Sequence, residues 1–395
     1  MIAKLAYIFN SYIYYYYCLF QAVVMDIDET ILLLAVTAVA AAAVRIAQDR
    51  ITNVRLRQPR VFRRRTVLED LSDNDVEDMF RLNRQGVMEV YHLISDEIEP
   101  LTGRTHAIPA IVRLLAVLNY LATGNFQPSC ARIIGISRPS LSRFLKPVLK
   151  AIKRHMDRYI HFPRTDEEWQ EVKVGFFRQG GMPNCLGAID GTHIPLIPPH
   201  DREEQFRNRK SYHSLNVQVV VDSHQRIMSI RSGFPGSCHD SHILRQSALF
   251  ERFERGQMPE GWLVGDAGYG CRSWLLTPLS NPQTAAEVRY NSTHIRTRSV
   301  IERTFGMWKS TFRCLSKTGG FLQHSPELVS DIIIVCAILH NIALANNVDL
   351  HIDDDLPPEI PALPAASEDS SDLGNNVRQR LIQNYFRDLQ RRTTN

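Results

Sequence analysis

Four acidic residues stand where the chain is otherwise apolar or tightly turned, and they restrict the fold more than any other feature. Asp190 ends the run CLGAID (185–190) and precedes Gly191. Asp240 lies in PGSCHDSHI (235–243), Asp266 closes WLVGD (262–266), and Glu302 lies in SVIERTFG (299–306). Burying an unpaired carboxylate is costly. An acid at the end of a strand and followed by glycine opens instead into the crevice above a sheet, where sites gather. Carboxylates that converge there repel one another until a cation neutralises them. Hard oxygen donors of this kind suit Mg²⁺ or Mn²⁺ better than Zn²⁺. Any one of these acids alone reads as a turn residue capping its own backbone. The set, in strand, strand, strand, helix order, reads as a metal site.

The hydrophobic period supports that order. Leu68–Leu101 predicts two helices, the first capped by Ser72 and Asp73, the second running from about Arg84 to Pro100. Ala110–Thr123 predicts a third, ended by Gly124. Residues 129–146 (SCARIIGISRPSLSRFLK) read as two helices joined by a tight turn at Gly135, with Ser137 and Pro139 opening the second. Its exposed face would carry Arg138, Ser140, Ser142, Arg143 and Lys146, donors suited to phosphates and guanine edges. A helix-turn-helix and an ordinary helical hairpin with a solvated basic face both fit this spacing. Thr165–Gln179 predicts another helix. Strands are expected at Cys185–Pro198, Ser214–Asp222, Arg226–Gly233 and Trp262–Gly265, and helices at Ser299–Leu315 and Pro326–Leu344.

Charge is unevenly spread. Lys and Arg exceed Asp and Glu by only four (46 against 42) over 395 residues. Arg45–Arg65 nevertheless holds eight Arg against one Asp, Arg132–Arg158 eight Lys or Arg against one Asp, and Asp349–Asp372 eight acids with no Lys or Arg. A basic front half and an acidic tail point to a polyanion more than to a membrane surface. With 44% apolar residues a sizeable core is available. Seven scattered Cys without a CxxC argue against a zinc ribbon or disulfide ladder and suit the cytosol or nucleus. Residues 5–24 are apolar and aromatic, but their polar residues and tyrosines make a poor membrane core, and Met25 offers a second start. Ile31–Val44, at 14 residues, is short for a bilayer span. The Arg-rich stretch Arg55–Arg65 reads equally as an import signal, a DNA arm or a solvated segment. The expected organisation is an apolar N-terminal segment (1–50), a basic helical region (51–160), an α/β domain (161–348), an acidic disordered linker (349–376) and a C-terminal helix (377–395).

Thirty-five residues separate Asp266 from Glu302. In that spacing, and in a set of motifs in fixed order, the chain resembles DDE transposases of the PIF/Harbinger branch, specifically the Harbinger transposase-derived nucleases of animals. The pieces are GAIDGTHI (187–194), FRNRK (206–210) with SLNV (214–217), PGSCHDS (235–241), GDAGY (265–269), IERTFG (301–306) and LHNI (339–342). The resemblance covers about Leu71 to Ile342. It implies a mixed RNase H-like sheet with flanking helices, preceded by a helix-turn-helix-like region. It implies a DNA nuclease in which Asp190, Asp266 and Glu302 are catalytic, with Asp240 as a further metal ligand. Two Mg²⁺ or Mn²⁺ ions, ~3.5–4 Å apart, would serve hydrolysis by water in an in-line displacement. It implies a nuclear location, with the cytoplasm second, and a Myb/SANT-type DNA-binding partner for full transposition.

Some neighbours carry two readings. Arg207, Arg209 and Lys210, and Arg303 and Lys309 on the glutamate's helix, read as phosphate contacts or as solvated charges. His193 reads as facing the crevice or as packing beneath the strand, and Tyr269 and Trp308 as packing residues or as stacking on bases, with packing favoured for all three. His239 and His242 beside Asp240 would allow a mixed His/Asp site for a softer metal, which would leave the other acids without a purpose. His340-Asn341 reads as a hydrogen-bonded junction. Asn291-Ser-Thr fits a glycosylation pattern that a nuclear protein would not use. The rival functions are a catalytically silent DNA-binding protein and a metal-dependent phosphohydrolase of small esters.

Overall fold

The computed structural model describes residues 29–52, 64–100, 106–350 and 370–387. The expectations for residues 5–24, for Met25, for most of the Arg-rich stretch and for 351–369 lie outside the described residues. The chain divides into two compact units, 1–62 and 63–395. The first contains helix α1 (Glu29–Thr52), on which Leu34, Val36, Val39 and Val44 are exposed.

The second unit opens with short helices whose ends follow local chemistry. Ser72 and Asp75 form a reciprocal capping box at the start of α2 (Asp73–Phe80). Asn83 caps α3 (Arg84–Ile98), which buries Val87, Val90, Ile94 and Ile98 at helical spacing. Helix α4 (Ala110–Thr123) is buried along most of its length and ends on Gly124 at φ 66°. Helices α5 (Gln127–Ile134) and α6 (Arg138–Lys153) are joined at Gly135, whose φ is 78°. A Cβ at Gly135 would lie 2.1 Å from the Arg64 carbonyl oxygen, so both conformation and space require glycine there. Ser137 caps α6 as expected, but Ser140 is buried and hydrogen-bonded to it (2.9 Å), which removes Ser140 from the exposed face. Helix α7 (Asp166–Gly180) starts on a Thr165–Glu168 capping box.

Five strands form one mixed sheet in the order β3-β2-β1-β4-β5. They are β1 (Cys185–Pro195), β2 (Ser214–Val221), β3 (Ile227–Pro235), β4 (Trp262–Val264) and β5 (Leu275–Leu276). The β1–β2 and β2–β3 pairs are antiparallel, and β1–β4 and β4–β5 are parallel. Strand alternation gives the sheet two faces. Ala188, Ile194, Val217, Val219 and Val221 join the main core, with α10 (Ala285–Thr311) and α11 (Pro326–Ala345). Ile189 and Val220 point the other way, into a smaller core with Leu244 of α8 (Asp240–Arg245) and Leu249 and Phe253 of α9 (Ala248–Glu254). Helix α11 is the one described helix long and apolar enough to cross a membrane. Two thirds of its apolar window (67%) is buried inside the protein, as befits a core helix.

The His340-Asn341 pair fastens α11 to the sheet. Asn341 accepts from the Ile227 N–H (2.9 Å) and donates to the carbonyls of Ile227 and Tyr159 (both 2.8 Å). His340 meets the Gln225 carbonyl (3.0 Å). Asn341→Ala leaves buried backbone groups without partners. The expected cost is about 3 kcal/mol, read as a lower urea midpoint at unchanged slope.

Two helix boundaries differ from the sequence reading. Helix α10 begins at Ala285 rather than Ser299, because its first half buries Tyr290, Thr293, His294 and Thr297, a face too polar to show an apolar period. Helix α12 begins at Asp372, within the stretch expected to be disordered, because Ser371 caps it and the segment docks on the sheet edge. It runs to Leu381 and continues as a π-helical turn, Ile382–Phe386. Cys271 N–H donates to the Ser370 hydroxyl (3.0 Å), Ser371 N–H to the Cys271 carbonyl (2.9 Å), and Arg378 to the Thr277 carbonyl (3.1 Å). This segment thereby covers β5, the edge strand.

Candidate metal centre

Three of the four acids converge. One carboxylate oxygen from each of Asp190, Asp240 and Asp266 lies within 4.8 Å of the others. Each arrives from a different element: Asp190 from the middle of β1, Asp240 from the first turn of α8, and Asp266 from the turn after β4. Asp190 and residue 191 point to opposite faces of β1 by strand alternation. The Asp240 carboxylate fills the space a side chain at 191 would take, its Oδ1 being 2.2 Å from the ideal Cβ position. Gly191 is therefore the gap through which acids from the two faces meet.

Hydrogen bonds hold each acid in place. Asn216 on β2 donates to Asp240 Oδ1 (2.8 Å) and to the Cys238 carbonyl (3.0 Å). Gln218 donates to the Asp240 carbonyl (3.2 Å) and to the Tyr269 hydroxyl (3.1 Å). Gly268 N–H donates to Asp266 Oδ1 (3.0 Å), and Gly191 N–H to Asp190 Oδ1 (2.8 Å).

Glu302 stands apart from the three aspartates. Arg298, one helical turn before it on α10, donates to Asp190 Oδ2 (2.7 Å) with one Nη and to Glu302 Oε1 with the other. The Glu302 side chain remains 43% exposed against 15% for Asp190. Sequence reasoning missed Arg298, Asn216 and Gln218. The one signal for Arg298 is its position four residues before the glutamate, on the same helix face.

Electrostatics match a site suited to take up positive charge. Burial, then Asp266, pushes Asp190 well above the usual carboxylate range, although Arg298 opposes this. Burial raises Asp266 as well. Burial raises Asp240 to about 6, with the Asn216 hydrogen bond opposing and Asp266 adding to the rise. Three carboxylates that resist ionising together, all oxygen donors, fit a hard divalent cation. Among the described residues no histidine or cysteine joins the group. His242 meets Gln246 (3.0 Å) and His239 meets Arg209, which disfavours a mixed His/Asp site.

A pH dependence follows. Asp240 has a folded pKa of about 6 against 3.8 without the fold, so the folded state holds the extra proton between these values. Its contribution to metal-free stability is lost as pH rises from about 4 to about 6. A bound cation must displace that proton, so it binds more tightly as pH rises. Mn²⁺ is expected to raise Tm more at about pH 7.5 than at about pH 5, measured by thermal unfolding with and without chelator.

The remaining candidates divide by exposure. Arg207, Arg209 and Lys210 are exposed, and Arg209 adjoins His239, the residue before Asp240. Arg303 is exposed and bonded to Ser299 (2.9 Å). Arg138, Arg143 and Lys146 are exposed on α6. Lys309 is 8% exposed and engaged within the protein, which removes it from the phosphate contacts. Tyr269 and Trp308 are buried packing residues, and His193 bonds to Ser214 (2.9 Å). Asn291 bonds both backbone groups of Leu279 (2.9 Å each), which is a structural use for that side chain.

Comparison with known proteins decides the family. Residues 189–341 match the DDE superfamily endonuclease family, a span that contains all four acids. The mouse protein named "Putative nuclease HARBI1" is 37% identical over 323 residues, covering 81% of this chain and 92% of that protein. The chain belongs to the Harbinger transposase-derived nuclease family. The human protein of the same name is 36% identical over 322 residues with the same coverage. A more distant relative of this Harbinger chain is the Arabidopsis thaliana protein named Antagonist of Like Heterochromatin Protein 1, 28% identical over 242 residues, covering 58% of this chain and 60% of that protein. No solved structure matches the chain.

Proposed function

We propose that the chain is a divalent-metal-dependent DNA nuclease whose catalytic side chains are Asp190, Asp266 and Glu302, with Asp240 as an additional ligand. The observation that carries this reading is the convergence of three aspartates within 4.8 Å of one another in a chain of this family. The strand order, with two antiparallel pairs on one side of β1 and parallel pairs on the other, supports an RNase H-like core.

Asp190, Asp240 and Asp266 would hold the cation, which when bound would supply charge neutralisation at the scissile phosphate and a water of lowered pKa. The chain's own residues position everything else. Asn216 and Gln218 fix Asp240, and the backbone of the 266–269 turn fixes Asp266. Arg298 holds Asp190 and Glu302 in register. Glu302 would be the ligand offered to a second cation, and Arg298, which now bridges it to Asp190, carries a guanidinium suited to a substrate phosphate. Exposed Arg207, Arg209, Lys210 and Arg303 flank the site as phosphate contacts. Water is the nucleophile, so no covalent enzyme intermediate forms.

Helices α5 and α6, with the Gly135 turn and exposed Arg138, Arg143 and Lys146, act as a helix-turn-helix-like contact to duplex phosphates, with the salt dependence such contacts bring. Work in the nucleus, with the cytoplasm second, and a Myb/SANT-type partner for strand transfer complete the reading. The test is nicking of supercoiled plasmid by purified full chain with Mg²⁺ or Mn²⁺. Nicking that appears with metal, vanishes with chelator and exceeds hydrolysis of a chromogenic phosphate ester supports the nuclease over a small-ester hydrolase.

One observation favours a second reading. Arg298 already bridges Asp190 and Glu302, so an ion pair within the protein holds these two side chains in place. A catalytically silent DNA-binding protein would bind DNA and metal yet nick nothing.

A further inference from the structure

Beyond the carboxylates, at the end of β1, lies a small shelf of aromatic rings. Buried Asn208 organises the loop that leads into β2. Its Oδ1 accepts from the N–H groups of Lys210 (2.9 Å) and Tyr212 (3.3 Å), and its Nδ2 donates to Ser214 Oγ (2.8 Å). The loop presents Arg209 and Lys210 outward and ends on Tyr212. The Tyr212 ring stands edge-on to His193 (6.5 Å) and lies nearly parallel to Phe321 (15° between planes, centroids 6.5 Å apart). The Lys317 ammonium sits 3.6 Å from the Tyr212 centroid. Phe321 is fixed in turn, since the next residue, Leu322, donates to the Pro195 carbonyl (3.3 Å) and accepts from Ile197 N–H (3.0 Å). Yet Phe321 is 48% exposed.

This shelf lies further along β1 than the acids: Leu322 pairs with Leu196, six residues beyond Asp190, a rise of about 20 Å. His193, against Tyr212, is three residues beyond Asp190 on β1, a rise of about 10 Å. On its other flank Arg209 meets His239, next to Asp240. A large ring that is held rigidly, left half open and rimmed by cations calls for a flat, apolar ligand on an anionic chain. An unpaired nucleobase has that chemistry. A base inside a duplex cannot reach such a ring without leaving the stack. We propose that Phe321, backed by Tyr212 and flanked by Lys317, stacks an unpaired base of the DNA substrate a few nucleotides along the strand from the bond to be cut. The proposal rests on the nuclease reading above and adds a preference for distorted or frayed DNA.

The test compares binding of the full chain, without cleavage, to a blunt duplex and to the same sequence with three unpaired nucleotides at one end. Wild type is expected to favour the frayed DNA. Phe321→Ala should reduce that preference by about 10-fold, the scale of one base stack, while leaving blunt-duplex affinity and the Mn²⁺-induced rise in Tm unchanged. Phe321→Trp should restore it. No preference in wild type, or a preference that survives Phe321→Ala, overturns the shelf. If plasmid nicking persists in that case, the nuclease reading stands and only the shelf falls. If wild type neither binds nor nicks any DNA, both fall.

Discussion

Asp190→Asn is expected to lower metal-dependent nicking by on the order of 10³-fold while duplex affinity changes little. Asp190 touches both other aspartates electrostatically and is tied to Glu302 through Arg298, so its loss removes a donor from the cluster and the anchor of the helix side. DNA affinity should survive because the proposed phosphate contacts sit on other residues, Arg207, Arg209 and Lys210 in one loop and Arg138, Arg143 and Lys146 on α6. Asp266→Asn should behave alike, and Glu302→Ala should also abolish nicking. The measurement is plasmid nicking beside fluorescence anisotropy on a short duplex. Undiminished cleavage by purified Asp190→Asn and Glu302→Ala proteins would falsify the assignment.

Gly191→Ala should be nearly as damaging to metal binding, for a different reason. The added methyl would stand 2.2 Å from Asp240 Oδ1 and 2.7 Å from its Cγ. The obstructed atoms are the end of one side chain rather than backbone, so the fold yields cheaply and the carboxylate moves away. We expect Tm without metal to change little, cation affinity to fall about 10-fold or more, and nicking to fall with it. Asp240→Ala in the Gly191→Ala background should add almost nothing further, because both changes remove the same donor. Calorimetric titration with Mn²⁺ across the four proteins checks this. Full additivity would mean that Gly191 serves something other than the passage of Asp240.

The legible parts of this chain were those governed by short-range chemistry. Helix α4 falls on Ala110–Thr123 because a strongly apolar run, interrupted by Arg113 and Asn119, ends at a glycine, and α2 and α7 start at Ser72 and Thr165 because their side chains satisfy the first N–H groups. Strands β1 to β4 follow Val- and Ile-rich runs. Strand β5 was not read because two residues, Leu275–Leu276, carry no period. The first half of α10 escaped because its buried face is Tyr, Thr and His. Within the site, the acids are visible because they interrupt apolar or tightly turned sequence, but Asp190 lies in the middle of β1 rather than at a strand's end, Asp240 opens a helix, and which three meet is not visible. Asp240 joins the cluster through a gap at Gly191, a fact of the third dimension, and Glu302 is held off by an arginine that reads as surface charge. Lys309 was misplaced for the converse reason, since a lysine on a helix is assumed to face water until packing shows otherwise.

The docking of residues 370–387 along β5 bears on how the protein should be produced. A version trimmed at Leu350 would bare the backbone rim of the outermost strand, a ready template for a neighbouring molecule. Self-association seen with such a trimmed chain would then report on the cut, and the assembly state is best measured with the final helix left in place.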